Sequence, residues 1–337
     1  MAKVLVTGGA GYVGSVCCEE LLRAGHSVTV VDDLSTGFRE AVPQGAVFCE
    51  ADIANDQLMR PLLSQAKFDA VFHFAAKALV PESVANPGVF FQQNVAGGIS
   101  FLEAVRAAGI RKFVFSSSAA VYGSPTKIPI DEDANKSPTN AYGETKLMLE
   151  HALQWYASAY KWTVVAMRYF NAAGATFAAG ERHDPETHII ALLIQTAAGE
   201  RDSFTIYGED YETPDGTCIR DYVHVSDIAA AHLLALELPN APTLNAYNIG
   251  CGRGYSVREV IRAVEQVTGS KIPVRHGPRR LGDPAVLCAS PAKLMRELRW
   301  QPHRSDLINI VRSAWEWKLT QGVCRSISRP EFIQKAS

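Results

Sequence analysis

The chain has 337 residues, enough for one large α/β domain with an added lobe or for two domains. Its 47% hydrophobic and 20% charged content suits an ordinary globular protein, and a formal net charge of −2 gives no pull toward nucleic acid or an anionic membrane. The seven cysteines lack metal-ligand spacing and read as reduced thiols of a cytoplasmic protein, no signal-peptide order opens the chain, and no apolar run approaches the ~20 residues of a membrane span.

In chain order, short apolar and β-branched runs predict strands at Lys3–Thr7, Ser27–Val31, Ala46–Cys49, Ala70–Phe74, Lys112–Ser116 and Thr163–Arg168. Several are apolar on both faces, as in a parallel sheet covered by helices. Helical patterns at Gly11–Ala24, Val89–Ala108 and Tyr142–Tyr160 alternate with them, and Gly109 stops the second. The alternation predicts a doubly wound α/β sheet. After residue 170 the loops lengthen, with polar or Gly/Pro-bearing stretches at Ala172–Pro185 and Gly208–Gly216. These are candidates for a smaller C-terminal α/β lobe laid over the carboxyl edge of the sheet. Helices are expected near Val257–Thr268 and Pro291–Leu298, and the last residues, from about 323, carry little pattern.

Gly8, Gly11 and Gly14 form G-x-x-G-x-x-G between the first strand and the first helix. Such a turn is tight, lets backbone approach a pyrophosphate, and aims free helix N–H groups at it. The sheet is therefore read as Rossmann-type and dinucleotide-binding. Asp32 and Asp33 end the second strand, where an acid accepts hydrogen bonds from adenosine ribose hydroxyls and repels a 2′-phosphate. That favours NAD over NADP; the competing reading is a polar turn. Asp52-Ile53 after the third strand is either an adenine contact or a loop acid. Phe74-Ala75-Ala76 ends the fourth strand with small residues that admit a cofactor, and His73 reads as a packed histidine.

Tyr142 and Lys146 stand at i and i+4 on one helix face, with Asn140 placed to cap that helix. A free tyrosine, of pKa about 10, is too weak a base at neutral pH; a lysine ammonium and a cationic nicotinamide beside it favour the phenolate. Ser118, in Ser116-Ser117-Ser118-Ala119-Ala120, places a hydroxyl after the fifth strand that can complete a proton relay. Y-x-x-x-K alone is common on surface helices; joined to the glycine turn, Asp32 and the serine strand it points to oxidation of a hydroxyl.

With these motifs the chain resembles the extended short-chain dehydrogenase/reductase family over nearly its whole length. The more specific similarities are Arg168-Tyr169-Phe170-Asn171, Ile219 to Val225, Tyr247-Asn248-Ile249-Gly250 and Arg279-Arg280-Leu281-Gly282-Asp283. The resemblance implies tightly held NAD and a UDP-sugar substrate. The implied reaction is interconversion of UDP-glucose and UDP-galactose through a 4-keto sugar. It implies Tyr142 as acid/base, Lys146 as its partner at the nicotinamide ribose, and Ser118 as the hydroxyl nearest the sugar. It adds Tyr12, Val13, Asn94, Ser116 and Tyr169 on the cofactor side. On the substrate side it implies Asn171, His188 and Tyr207, with Arg220 and Arg280 on the diphosphate and Asp283 on the uridine ribose. Read from the residues alone, the two arginines serve equally well as structural ion-pair members, although guanidinium does suit phosphate.

The resemblance further implies residues 1–170 with a return segment about 217–245 as the NAD-binding part, and 171–216 with 246–337 as the nucleotide-sugar lobe. It implies a homodimer through the helices near Val89–Ala108 and Tyr142–Tyr160. No metal is expected. A sugar-nucleotide dehydratase would need a carboxylate pair where Ala119-Ala120 stand. A non-catalytic NAD sensor would not need Tyr142 and Lys146. Epimerases of other UDP-sugars (N-acetylated, pentose or uronic) stay open, and Leu287, expected to border the sugar, leaves more room than a tyrosine would.

Overall fold

The computed structural model describes residues 1–280 and 283–327, the side chains of 322–327 apart, so Leu281, Gly282 and the final stretch from residue 328 lie outside the described residues. Its strands are β1 (Lys3–Thr7), β2 (Ser27–Asp32), β3 (Val47–Glu50), β4 (Ala70–His73), β5 (Lys112–Ser118), β6 (Thr163–Tyr169), β7 (Asn171–Ala173), β8 (Phe204–Tyr207), β9 (Ile219–His224), β10 (Thr243–Ile249), β11 (Gly254–Ser256), β12 (Val274–Gly277) and β13 (Val286–Leu287). Its helices are α1 (Tyr12–Arg23), α2 (Asp56–Ala66), α3 (Val80–Ala85), α4 (Pro87–Phe90), α5 (Gly98–Ala107), α6 (Ala141–Tyr160), α7 (Ile189–Ala197), α8 (Val225–Glu237), α9 (Val257–Thr268), α10 (Ala292–Leu298) and α11 (Leu307–Ile327).

Seven strands form one sheet in the order β10-β6-β5-β4-β1-β2-β3, parallel at every pairing. The strands alternate their burial between two layers. Val4 and Val6 face a core built with Val16, Leu21 and Ile228 from α1 and α8. Leu5 faces the other core, with Met59, Phe101, Leu149 and Leu153 from α2, α5 and α6. Both faces are thus covered, which is why these strands are apolar throughout. The chain runs outward from β1 to β3, then returns to the other side of β1 with β4. The order therefore reverses between β1 and β4, and a crevice opens there at the carboxyl ends.

β10 spans residue 245, where the sequence reading divides the two parts, and closes the sheet beside β6. β9 leaves this sheet: it pairs with β7, β11 and β13, while β8 and β12 make a separate pair. α7, α9 and α11 cover these strands around Leu193, Ile206, Val260 and Ile310. The helix expected over Val89–Ala108 is broken into α4, a π-helical turn at Phe91–Gly97 and α5. A Cβ on Gly98 would lie 3.2 Å from the Leu149 side chain, so glycine lets this region close on α6. No helix among the described residues is long and apolar enough to cross a membrane.

Candidate active site

The glycine turn lies at the crevice. Gly8 has φ +72°, and a Cβ there would stand 2.4 Å from the Ala75 nitrogen. A Cβ on Gly14 would stand 2.2 Å from the Gly8 carbonyl oxygen. Any side chain at either position would force the turn open. The amides of Phe74 and Ala75 both donate to the Thr7 carbonyl, at 2.9 and 3.1 Å, which binds the end of β4 to the turn. Gly11 caps α1 without a side-chain hydrogen bond, so the helix's first N–H groups stay available to an anion.

Asp32 closes the turn from β2. Its carboxylate accepts from the Ala10 and Leu34 amides, each at 3.0 Å. Burial raises its pKa, and these two amides pull it back down. Each oxygen keeps a lone pair for a hydroxyl. Asp33 and Asp52 are exposed at the ends of β2 and β3, where they accept from the Ser35 and Ala54 amides at 2.9 and 2.8 Å. Ile53 is half-buried beside Asp52, and Val13 is half-buried behind the glycine turn. The Tyr12 hydroxyl donates to the Gly174 carbonyl at 2.6 Å, which draws the segment after β7 over the turn. A closely approached, side-chain-free turn with an open helix N-terminus and a carboxylate at the next strand end fits a dinucleotide with a free 2′-hydroxyl.

The catalytic candidates converge at the end of β5. Asn140 caps α6 by accepting from the Gly143 amide at 2.8 Å, which sets Tyr142 and Lys146 on the turn facing the sheet. Ser118 faces the Tyr142 hydroxyl, and its Oγ accepts from the Ala120 amide at 3.1 Å. Burial raises the Tyr142 pKa and the Ser118 contact lowers it. The Lys146 ammonium donates to the Ser116 carbonyl at 2.8 Å and lies 5.7 Å from the centre of the Tyr142 ring. Burial brings Lys146 itself down to about 7, against the opposing charge of Glu150. The expected direct lowering of the tyrosine by this lysine is therefore not what the side chains alone produce: the lysine is drawn toward neutrality and points to the strand. His73 is a packed histidine as read: it is buried, bonds Thr7 Oγ1 at 2.7 Å and stacks on Phe101.

Asn94, expected at the cofactor, spends its amide on the chain. It accepts from the Lys77 amide and donates to the Lys77 carbonyl and to Thr145 Oγ1, at 2.8, 3.0 and 3.0 Å. It braces the loop after Ala76 against α6. Ser116 is half-buried beside Lys146; Tyr169 is buried and bonded to His232 Nε2 at 2.7 Å.

Two features escape the sequence reading. A Cβ on Gly143 would meet the Ala120 carbonyl at 2.5 Å, so only glycine lets α6 approach the Ser118 turn. Glu150, one turn beyond Lys146, is 4% exposed and takes a bidentate pair from Arg168, at 2.9 and 2.6 Å, and a hydrogen bond from Ser117 at 2.5 Å. Its signal in the sequence is an acid on the apolar face of a helix.

On the facing side, Arg220 on β9 pairs with Asp283 at 2.7 Å, so two expected substrate residues bind each other. Asn171 donates to the Asp221 carbonyl at 2.8 Å. Arg280 lies over the Tyr207 ring at 4.2 Å, and both line a cleft of about 390 Å³ with Glu186, Thr187 and Phe204. His188 caps α7, with Nδ1 2.9 Å from Glu186 and 3.4 Å from Glu181. Its side chain is 45% exposed; partial desolvation lowers its pKa, but the hydrogen bond to Glu186 and both carboxylate charges push it up to about 9.

Residues 4–250 match the NAD dependent epimerase/dehydratase family. The chain is 48% identical over 320 residues to the UDP-glucose 4-epimerase of Corynebacterium glutamicum, covering 95% of this chain and 97% of that one. It is 49% identical over 316 residues to the UDP-glucose 4-epimerase of Streptomyces lividans, covering 94% and 95%. Among solved structures it is similar to the UDP-glucose 4-epimerase from Brucella ovis in complex with NAD, with TM-score 0.90 and 45% identity over 94% of this chain and 98% of that one. On fold, motif order and this degree of likeness, the chain belongs to the NAD dependent epimerase/dehydratase family.

Proposed function

We propose that the protein is a UDP-glucose 4-epimerase that interconverts UDP-glucose and UDP-galactose with retained NAD. The observation that carries this reading is the convergence of Ser118, Tyr142 and Lys146 at the carboxyl edge of the sheet, next to a turn that accepts a dinucleotide. NAD, when bound, supplies the acceptor and donor of hydride at the sugar C4. Gly8, Gly11, Tyr12, Val13 and Gly14 would hold its pyrophosphate, Asp32 and Asp33 its ribose, and Asp52 with Ile53 its adenine. Phe74, Ala75, Ala76, Ser116, Asn94 and Tyr169 shape the rest of that wall.

The chain's own residues supply the proton chemistry. Tyr142 removes the proton of the sugar 4-hydroxyl and later returns it, with Ser118 in the relay. Lys146 positions the ribose and the strand end. A freed 4-keto sugar must turn over while its nucleotide stays fixed, and charged groups lie on the nucleotide side. Arg280 on the Tyr207 ring faces the cleft, and Arg220 is oriented by Asp283. Asn171 and His188 complete the diphosphate side. The seven-stranded sheet with its helices serves as the cofactor half and the β7–β9–β11–β13 group with α7, α9 and α11 as the substrate half.

The test is turnover of UDP-glucose by purified protein without added NAD. Tyr142→Phe should lower kcat by about a hundredfold or more; unchanged turnover would end the assignment. A second substrate is favoured by Leu287, half-buried against the apolar cluster that includes Ala119 and Val121 just past Ser118. UDP-N-acetylglucosamine is therefore expected to turn over, and no detectable product from it would exclude that reading. The protein is proposed to act in the cytoplasm as a homodimer. Trp155 and Met148 on α6 are 76% and 38% exposed, an apolar surface that a second copy would cover. Trp155→Glu should shift the mass in light scattering from dimer to monomer.

A further inference from the structure

The segment between β7 and α7 brings Glu181, His183 and Glu186, which the proposed reaction does not employ, against His188, which it places at the edge of the diphosphate side. Glu181, His183 and His188 set one carboxylate oxygen and two imidazole nitrogens within 4.8 Å of one another. Glu181 Oε2 lies 3.4 Å from His188 Nδ1. Donors held at about 2.0–2.1 Å in a tetrahedron around zinc stand about 3.3 Å apart, so this pair is already at coordination spacing. Glu186 adds a second carboxylate 2.9 Å from the same nitrogen.

The charge balance points the same way. The Glu181 and Glu186 side chains are only 11% and 4% exposed. Among the described residues neither has a lysine or arginine partner, because Arg182 between them pairs with Glu40 instead. Among the described residues the two imidazoles are the ionic partners of these carboxylates, each ring Nδ1 facing a carboxylate oxygen. A divalent cation would take the place of the ring protons that now bridge them. Nitrogen and carboxylate donors in this proportion suit zinc, cobalt, nickel or copper rather than magnesium or calcium. Cysteine spacing gives no hint of it, since the ligands sit in an irregular loop.

We propose that Glu181, His183 and His188 form a divalent transition-metal site, with Glu186 as the adjoining carboxylate. The site stands where two parts of the molecule meet. Gly180, Glu181 and His183 border a small cavity against Gly11 and Tyr12 of the glycine turn, while Glu186 and Thr187 line the cleft beside Arg280. A bound ion ties the start of this segment to the N-terminus of α7 and fixes the loop between them. Its role is structural, and it holds whichever sugar is turned over.

The experiment uses the full chain carrying its NAD, stripped with a chelator and dialysed against Zn2+, with metal counted by mass spectrometry. About one zinc per chain is expected, with stabilisation against heat on loading. Glu181→Gln and His183→Gln should each weaken binding by about tenfold or more while NAD content stays at the wild-type level. Co2+ is the second probe: its visible absorption should show nitrogen and oxygen ligation and no thiolate charge-transfer band. Failure of the wild-type chain to retain zinc, wild-type affinity in both variants, or a thiolate band would each overturn the proposal.

Discussion

Lys146→Met isolates the electrostatic cost of the catalytic lysine. The side chain is 3% exposed, and burial holds its pKa at about 7, against 10.5 in a free lysine. A depressed base means that the unfolded chain binds the extra proton between those two values, so stability rises with pH across that window. The penalty of burying this lysine is about 5 kcal/mol at pH 6 and about 2 kcal/mol at pH 9, from 1.36 kcal/mol per pKa unit. Methionine fills similar volume without charge and loses only the hydrogen bond to the Ser116 carbonyl, worth about 1 kcal/mol. The variant should therefore be more stable than wild type by about 4 kcal/mol at pH 6, shrinking to about 1 kcal/mol at pH 9. Urea unfolding of both proteins stripped of NAD at pH 6, 7.5 and 9 reads this directly. The difference between them cancels the other titrating groups. Turnover should fall by about a hundredfold or more in the same variant. A stability difference that stays flat with pH, or grows toward pH 9, would refute the buried-ammonium reasoning.

Glycine at 143 should be irreplaceable even by alanine. Alanine favours a helix by about 1 kcal/mol, yet its Cβ would meet the Ala120 carbonyl at 2.5 Å. Gly143→Ala should lose about 1–3 kcal/mol in urea unfolding, with a fall in kcat as Tyr142 shifts from Ser118. Glu150→Gln leaves Arg168 buried without its partner and should lose about 3–5 kcal/mol, whereas Glu150→Met with Arg168→Met should lose much less. Chemical denaturation of the three proteins decides between a net stabilising pair and a merely matched one. Arg220→Lys keeps the charge but not the planar fork, so KM for UDP-glucose should rise about tenfold with kcat little changed.

Much of the sheet is legible from the sequence because parallel strands buried on both faces leave unbroken apolar runs. β1 to β6 fall within two residues of their expected bounds. α2 and α8 escape the pattern for different reasons. α2 carries Pro61 and a mostly exposed surface, whereas α8 is apolar nearly all round and gives no clear face. The break in the predicted 89–108 helix is invisible to periodicity, since a π turn changes hydrogen-bond partners without changing composition. The same turn carries Asn94, whose bracing of Lys77 and Thr145 depends on contacts far apart in sequence. The glycine turn is legible because its geometry is local. The pairing of Arg220 with Asp283 is not, because 63 residues separate them.

The stripe Tyr142, Lys146, Glu150 explains a tension in the site. An acid one helical turn from a buried lysine would ordinarily hold that lysine charged. Here Glu150 is already engaged on both oxygens by Arg168 and also receives the Ser117 hydroxyl. Arg168 in turn donates to the Tyr122 hydroxyl at 2.7 Å, and Tyr122 donates to Asn248 on β10 at 2.7 Å. The counter-charge is thus shared with Arg168 and anchored in the sheet, and its pull on Lys146 offsets desolvation only in part. The Glu150–Arg168 pair therefore acts on the chemistry without reaching the reacting atoms. It fixes the position of α6 over β5 and β6, and it keeps the negative charge of the stripe away from the phenol that has to ionise.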